Sequence, residues 1–233
     1  MVSLSNNPAY SVLRVKFKKV GDLQYISHLD LVRTIHKIIV RAGLPLWYTE
    51  GFNPKPKMAF AAPLSVGTES LCEFMDLRVT EAISPEEILA RLNKNMTDEM
   101  QALEAYYPTT KLTELAYLSY TVTMHTVDLD AELLEKCREA LDSPEMKIQK
   151  KTKSGEAIVD IKPLVKEAKL DIVDGELVLN CILSADPSAF LNPELLVKYL
   201  KNTTGILTSG SLTEEWFTVL RKEAYTKDMQ NFR

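Results

Sequence analysis

The 233-residue chain is 45% apolar, enough to bury a full hydrophobic core as one large domain or two small ones. No apolar run approaches the ~20 residues that cross a bilayer, and Met1 to Tyr10 has neither a charged n-region nor an apolar h-region, so membrane spanning and export are argued against and a cytoplasmic location is expected. The net charge of −4 argues against a uniformly basic nucleic-acid coat, yet residues 1–60 carry nine Lys/Arg against three Asp/Glu and residues 61–233 carry 19 against 29, which suits one local basic face and a defined anionic ligand.

The first predicted strand, Val12 to Lys19, alternates Leu13, Val15 and Phe17 with Arg14, Lys16 and Lys18, one side for the core and one side basic. A helix follows, opened by Ser27 with Asp30 three residues on and closed by Gly43 and Pro45. Leu31, Val32, Ile35, Ile38, Ile39 and Ala42 share one face of it, whereas Arg33, Lys37 and Arg41, spaced i, i+4 and i+8, line the opposite face. That row is either a solvated surface or a track for phosphates.

Strands are predicted around Leu46 to Ala61 and Leu71 to Thr80, then a helix begun by Ser84-Pro85-Glu86-Glu87, then a strand near Gln101 to Tyr107. The order is β-α-β-β-α-β. It repeats in outline with a strand at Leu118 to His125, a helix from Asp130 to Leu141, a strand pair between Met146 and Val165, a strand at Leu177 to Ser184, a helix begun by Asn192-Pro193-Glu194 and a last strand, Trp216 to Arg221. The two Pro-Glu helix starts are 108 residues apart. The expected fold class is therefore α+β, with two ferredoxin-like halves built on antiparallel sheets, residues 1–111 carrying the basic segment and residues 112–233 ending in a polar tail from Tyr225. A further strand after Lys166 does not fit that scheme. Lys147, Lys150, Lys151 and Lys153 form either a second basic patch or, with the larger weight, a lysine-rich edge that guards against aggregation.

Three chemical features stand out in the basic segment. His28 sits in the first turn of its helix, where it is either a ligand contact or base oriented by Asp30, or a packed core histidine; His36 borders the two faces. The stretch Trp47 to Met58 combines Trp47, Tyr48 and Phe52 with Asn53, Lys55 and Lys57 in a backbone stiffened by Pro54 and Pro56, a pairing of stacking surfaces with cations that suits single-stranded RNA. A second rigid turn, Ala62 to Thr68, is expected beside it. Cys72, Cys137 and Cys181 are too scattered for a disulfide framework or, with three histidines, for a zinc site, and read as buried reduced thiols; no metal or cofactor is expected.

Tyr25-Ile26-Ser27-His28-Leu29-Asp30, Gly51-Phe52-Asn53-Pro54 with Pro56-Lys57, and Pro63-Leu64-Ser65-Val66-Gly67 resemble the hallmark of a radical-SAM-associated domain family of unknown function, domain 2344, in its stand-alone form. The likeness is specific over Arg14 to Val79, and beyond it Asp160-Ile161-Lys162-Pro163 is the clearest match. In that family the domain stands alone or is fused behind a cobalamin-type radical SAM module. The resemblance implies a radical SAM protein as partner, with RNA-processing and ribosomal-protein genes nearby, and no established activity. Lys55 departs from the pattern, since relatives commonly carry histidine there, which weakens any scheme needing a second histidine beside His28. The chain has no clustered cysteines for an iron–sulfur centre of its own.

The leading expectation is an accessory protein that binds RNA or presents a substrate to a radical SAM partner, with His28, Asp30, Arg33, Lys37, Arg41, Phe52, Asn53, Lys55 and Lys57 as ligand-binding residues. The alternatives are a metal-independent RNA endonuclease with His28 as base and a purely protein-binding module.

Overall fold

A computed structural model describes residues 10–152 and 155–233, so the expectations for Met1 to Ala9 and for Lys153 lie outside the described residues. The chain is mixed α+β with mainly antiparallel sheet and four α-helices among the described residues. It divides into two compact units, one through Glu114 together with Arg233, the other Leu115–Phe232.

In the first unit the order is β1 (Ser11–Lys19), α1 (His28–Ala42), β2 (Met58–Phe60), β3 (Thr68–Val79), α2 (Pro85–Asn93) and β4 (Ala102–Tyr106), with a 3-10 segment at Gly21–Tyr25. β1 pairs antiparallel with β4 on one side and β3 on the other, and β2 pairs with β3, so the strands lie in the order β4-β1-β3-β2. The caps fall where the sequence signalled them. Ser27 Oγ accepts from the Asp30 amide at 3.2 Å and Gly43 ends α1 at φ 61°, a left-handed position that glycine takes without a Cβ clash. Ser84 caps α2 through the Glu87 amide, with Pro85 in the first turn. Leu31, Ile35, Ile38 and Ile39 of α1 pack with Leu13, Val15 and Phe17 of β1 and with Met75 and Leu77 of β3.

The basic side of β1 is not the open face the alternation suggests. Arg14 is fully buried, with Nε 2.7 Å from Asp76 Oδ1 and a terminal nitrogen 3.0 Å from Oδ2, and it donates also to Thr110 Oγ and to the Thr110 carbonyl. Lys19 is buried as well and donates to the Gln24 carbonyl. The charge of Arg14 is thus paired internally, by a carboxylate that arrives from a distant segment. The long strand expected over Leu46 to Ala61 is also absent; only isolated bridges at Leu46 and Tyr48 and the three residues of β2 pair there. Pro54 and Pro56 lack the donors a ladder needs, and Gly51 turns the chain at φ 116°.

The second unit holds β5 (Tyr117–His125), α3 (Ala131–Asp142), β6 (Lys147–Thr152), β7 (Gly155–Asp160), β8 (Val165–Val173), β9 (Glu176–Ser184), α4 (Pro193–Thr204) and β10 (Trp216–Tyr225). Its main strands run β10-β5-β9-β8. Register puts buried residue on buried residue: Leu118 faces Leu183, Tyr120 Cys181, Val122 Leu179 and Met124 Leu177. Leu196 and Leu200 of α4 and Cys137 and Leu141 of α3 are buried too, and the Tyr199 hydroxyl donates to the Ala140 carbonyl to tie the two helices. The strand pair predicted between Met146 and Val165 forms a hairpin of its own, β6 with β7, outside this sheet. The supposedly surplus strand after Lys166 is β8, which takes the outer place beside β9.

The end of the chain is not a loose polar tail. Met229 adopts φ 58° in a turn that brings Asn231 back to Tyr225, and the Phe232 amide bonds to the Ala224 carbonyl with its ring buried. A buried aromatic offsets the entropy of ordering so short a return. All three cysteines are buried and outside any disulfide, and burial pushes the Cys181 thiol up to about 12. No helix is long and apolar enough to cross a membrane among the described residues.

Candidate functional site

The outer face of α1 follows from its two-sided sequence: once the apolar residues are committed to β1 and β3, Arg33, Lys37 and Arg41 must point away from them. Together with His36 and Val40 they line a shallow cup. Val40 is 60% exposed, so its isopropyl group and the methylene stems of the cations give the cup an apolar floor under a charged rim. Arg33 lies 3.1 Å from Asp30, and the Arg41 Nε–H donates to the Lys37 carbonyl at 3.3 Å. Among the described residues Lys37 and Lys55 have no carboxylate partner within ion-pair distance.

Lys55 lies in the loop before β2. The Thr49 amide bonds to the Lys55 carbonyl at 2.8 Å, the Lys55 amide to Thr49 Oγ at 2.9 Å, and the Lys57 amide to the Trp47 carbonyl at 2.8 Å. These bonds close a hairpin-like excursion with Glu50 to Pro54 at its tip. Burial, and after it the charge of Lys55, holds the His36 imidazole below its ordinary value. The His36 Nε2 is buried and finds no hydrogen-bond partner among the described residues.

The aromatics of this loop have separate fates. Trp47 stacks on Tyr10 at 5.2 Å with 13° between planes, Arg78 lies over both rings, and the Lys57 ammonium stands 5.7 Å from the Trp47 ring. Tyr48 packs against the core. Trp47, Tyr48 and Lys57 therefore hold the loop in place, and Phe52, at the tip with Asn53, is left fully exposed. The second turn is tied to the segment ahead of α1: the Gly67 amide bonds to the Gln24 carbonyl, with Gly67 at φ 83°.

Asp30 and His28 do not form the pair that base catalysis would need. The Ser27 hydroxyl and the Arg33 guanidinium take both carboxylate oxygens and hold the Asp30 carboxyl below its usual range, Ser27 being the stronger cause. His28 meets the edge of Phe60 at 5.5 Å, and Phe60 in turn meets Phe17. His28, half-buried, thus has an aromatic packing contact. Sequence reasoning noted His36 only as bordering the two faces and passed over Val40, although their positions between Arg33 and Arg41 were a usable signal, and missed Tyr10 and Arg78, which only tertiary structure brings to Trp47. Among the described residues no group of three or more His, Cys, Asp or Glu is arranged to hold a metal ion.

Residues 12–193 match the family described as "Uncharacterized protein conserved in bacteria (DUF2344)". No curated protein matches the chain. Among solved structures, a chain in the crystal structure of a Cbf5-Nop10-Gar1 complex is similar in fold, with TM-score 0.51 and 10% identity over 91% of this chain and 48% of that one. The present chain thus spans about half the length of that relative, and at such identity the likeness concerns the fold alone.

Proposed function

The chain belongs to the uncharacterised bacterial family DUF2344, and on that premise we propose that it is an accessory protein whose first unit binds RNA through the outer face of α1 and the loop from Thr49 to Lys57. The observation that carries this reading is the line of Arg33, Lys37 and Arg41 around an apolar-floored cup; the charge of Lys55, from a separate segment, acts on the cup's His36. Cations at one-turn spacing can follow a phosphate backbone, while the cup's floor accepts the flat apolar parts of nucleotides. Asn53 adds an amide at the loop tip. The site asks for no metal or cofactor of its own.

Within the same proposal, the two units are ferredoxin-like halves, the first carrying the site. The strand orders β4-β1-β3-β2 and β10-β5-β9-β8 support that reading, the β6-β7 hairpin being an insertion in the second half. The partner to which the RNA or another substrate is presented is a radical SAM protein, by the family resemblance in the sequence. An endonuclease reading has little support, because Asp30 is engaged with Ser27 and Arg33 and leaves His28 without a carboxylate to orient it.

Cross-linking the full chain to cellular RNA at low salt and mapping the attached peptides tests the proposal. Attachment should concentrate in residues 33–41 and 49–57. A protein that captures no RNA, or captures it only through the second unit, would overturn it.

A further inference from the structure

Resting on the RNA-binding reading, we propose that Phe52 is a stacking platform for one unpaired nucleobase, so that the site selects single-stranded over duplex RNA. The ring is fully exposed, although folded chains normally cover a side chain of this size. It is also held out on a stiff support. Reciprocal bonds between Thr49 and Lys55 close the base of the loop, Pro54 restricts the tip, and buried Pro56 anchors its return. Trp47, clasped by Tyr10 and Arg78, fixes the other arm. The ring is thus presented before any ligand arrives, and little ordering is needed on binding.

Charge identifies the occupant. Lys55 follows Phe52 by three residues, Lys57 stands over the Trp47 ring on the loop's return, and the charge of Lys55 acts on His36 of α1, the helix that carries the row of Arg33, Lys37 and Arg41; against these the loop carries a single acid, Glu50. An apolar pocket of a protein partner would need the exposed ring but not this row of cations, whereas a nucleotide strand uses both. Every base has a π-face, so the contact tolerates any sequence. In a duplex that face is already stacked and must be withdrawn at a cost before Phe52 can reach it. The ring therefore favours an unpaired strand, while the cations serve either form.

The experiment measures the affinity of the full chain for a fluorescent 12-nucleotide unpaired RNA and for a 12-base-pair RNA duplex over a range of salt, with wild type, Phe52→Ala and Phe52→Trp. Far-UV circular dichroism confirms that each variant is folded. Wild type should prefer the unpaired strand by about tenfold or more, Phe52→Ala should lose most of that preference with its salt slope intact, and Phe52→Trp should keep it and show indole quenching on binding. If Phe52→Ala binds both RNAs as wild type does, the inference is overturned and the RNA-binding reading survives. Binding of neither RNA by wild type overturns both. Loss of self-association in Phe52→Ala with unchanged RNA preference would assign the ring to a protein contact and likewise overturn the inference.

Discussion

The charge of Lys55 disfavours protonation of the His36 imidazole, a relationship between a proline-stiffened loop and a helix turn that are 19 residues apart in the chain. Burial is the larger cause of the lowered His36 value, and Lys55 adds to it. Removing the lysine charge leaves only burial acting against the imidazolium. NMR titration of Lys55→Gln should accordingly show His36 titrating at higher pH than in wild type. An unmoved His36 would mean that the loop does not share the cup's field.

Arg14 and Asp76 face each other directly across β1 and β3, with the guanidinium fully buried. Truncation to Asp76→Ala strands a buried charge and should lower the stability of the first unit by roughly 3–5 kcal/mol. The paired change Arg14→Met with Asp76→Leu removes both charges together and should cost far less. Urea unfolding of the three proteins checks the order; equal losses in the single and double variants would show that the ion pair is not what holds these strands.

Glu215 belongs to the second unit and is 7% exposed. Burial pushes its carboxyl up, but donation from the Thr126 hydroxyl, the Ser209 amide and the Val127 amide outweighs burial and holds it at about 2. A carboxyl lowered on folding stabilises the protein above its unfolded value near 4.5 and loses that contribution as pH falls toward 2. The contribution is of order 2–3 kcal/mol at neutral pH. Glu215→Gln should be less stable at pH 7 and show a flatter stability profile between pH 5 and 2. A profile as steep as wild type would place the acid sensitivity in other groups.

The parts of this fold that were legible in the sequence are those governed by neighbours a few residues away. Ser27 with Asp30, Gly43, and Ser84 with Pro85 set helix ends through local bonds and backbone conformation, and the period of α1 separated its faces correctly. What depends on distant partners was hidden. Nothing near Arg14 announced that Asp76, 62 residues on, would bury its charge, and Trp47 looked like a ligand surface because Tyr10 and Arg78 are remote in sequence. Likewise β6, β7 and β8 read as similar strands, since periodicity carries no information on which strand will pair with which. For the site, the cations and Phe52 were visible from charge and composition, whereas the cup that Arg33, Lys37 and Arg41 make with His36 and Val40 needed the structure.

The most direct measurement is the salt dependence of binding to the unpaired 12-nucleotide RNA for wild type and for Arg33→Glu, Lys37→Glu and Lys55→Glu, singly and together. Each phosphate contact on a single strand contributes a slope of about −0.7 in log K against log salt. Each reversal should therefore weaken binding and reduce the slope by about one contact, and the triple variant should fall to background. Binding whose strength and slope stay at wild-type values in the triple variant would contradict the assignment of RNA binding to the α1 face.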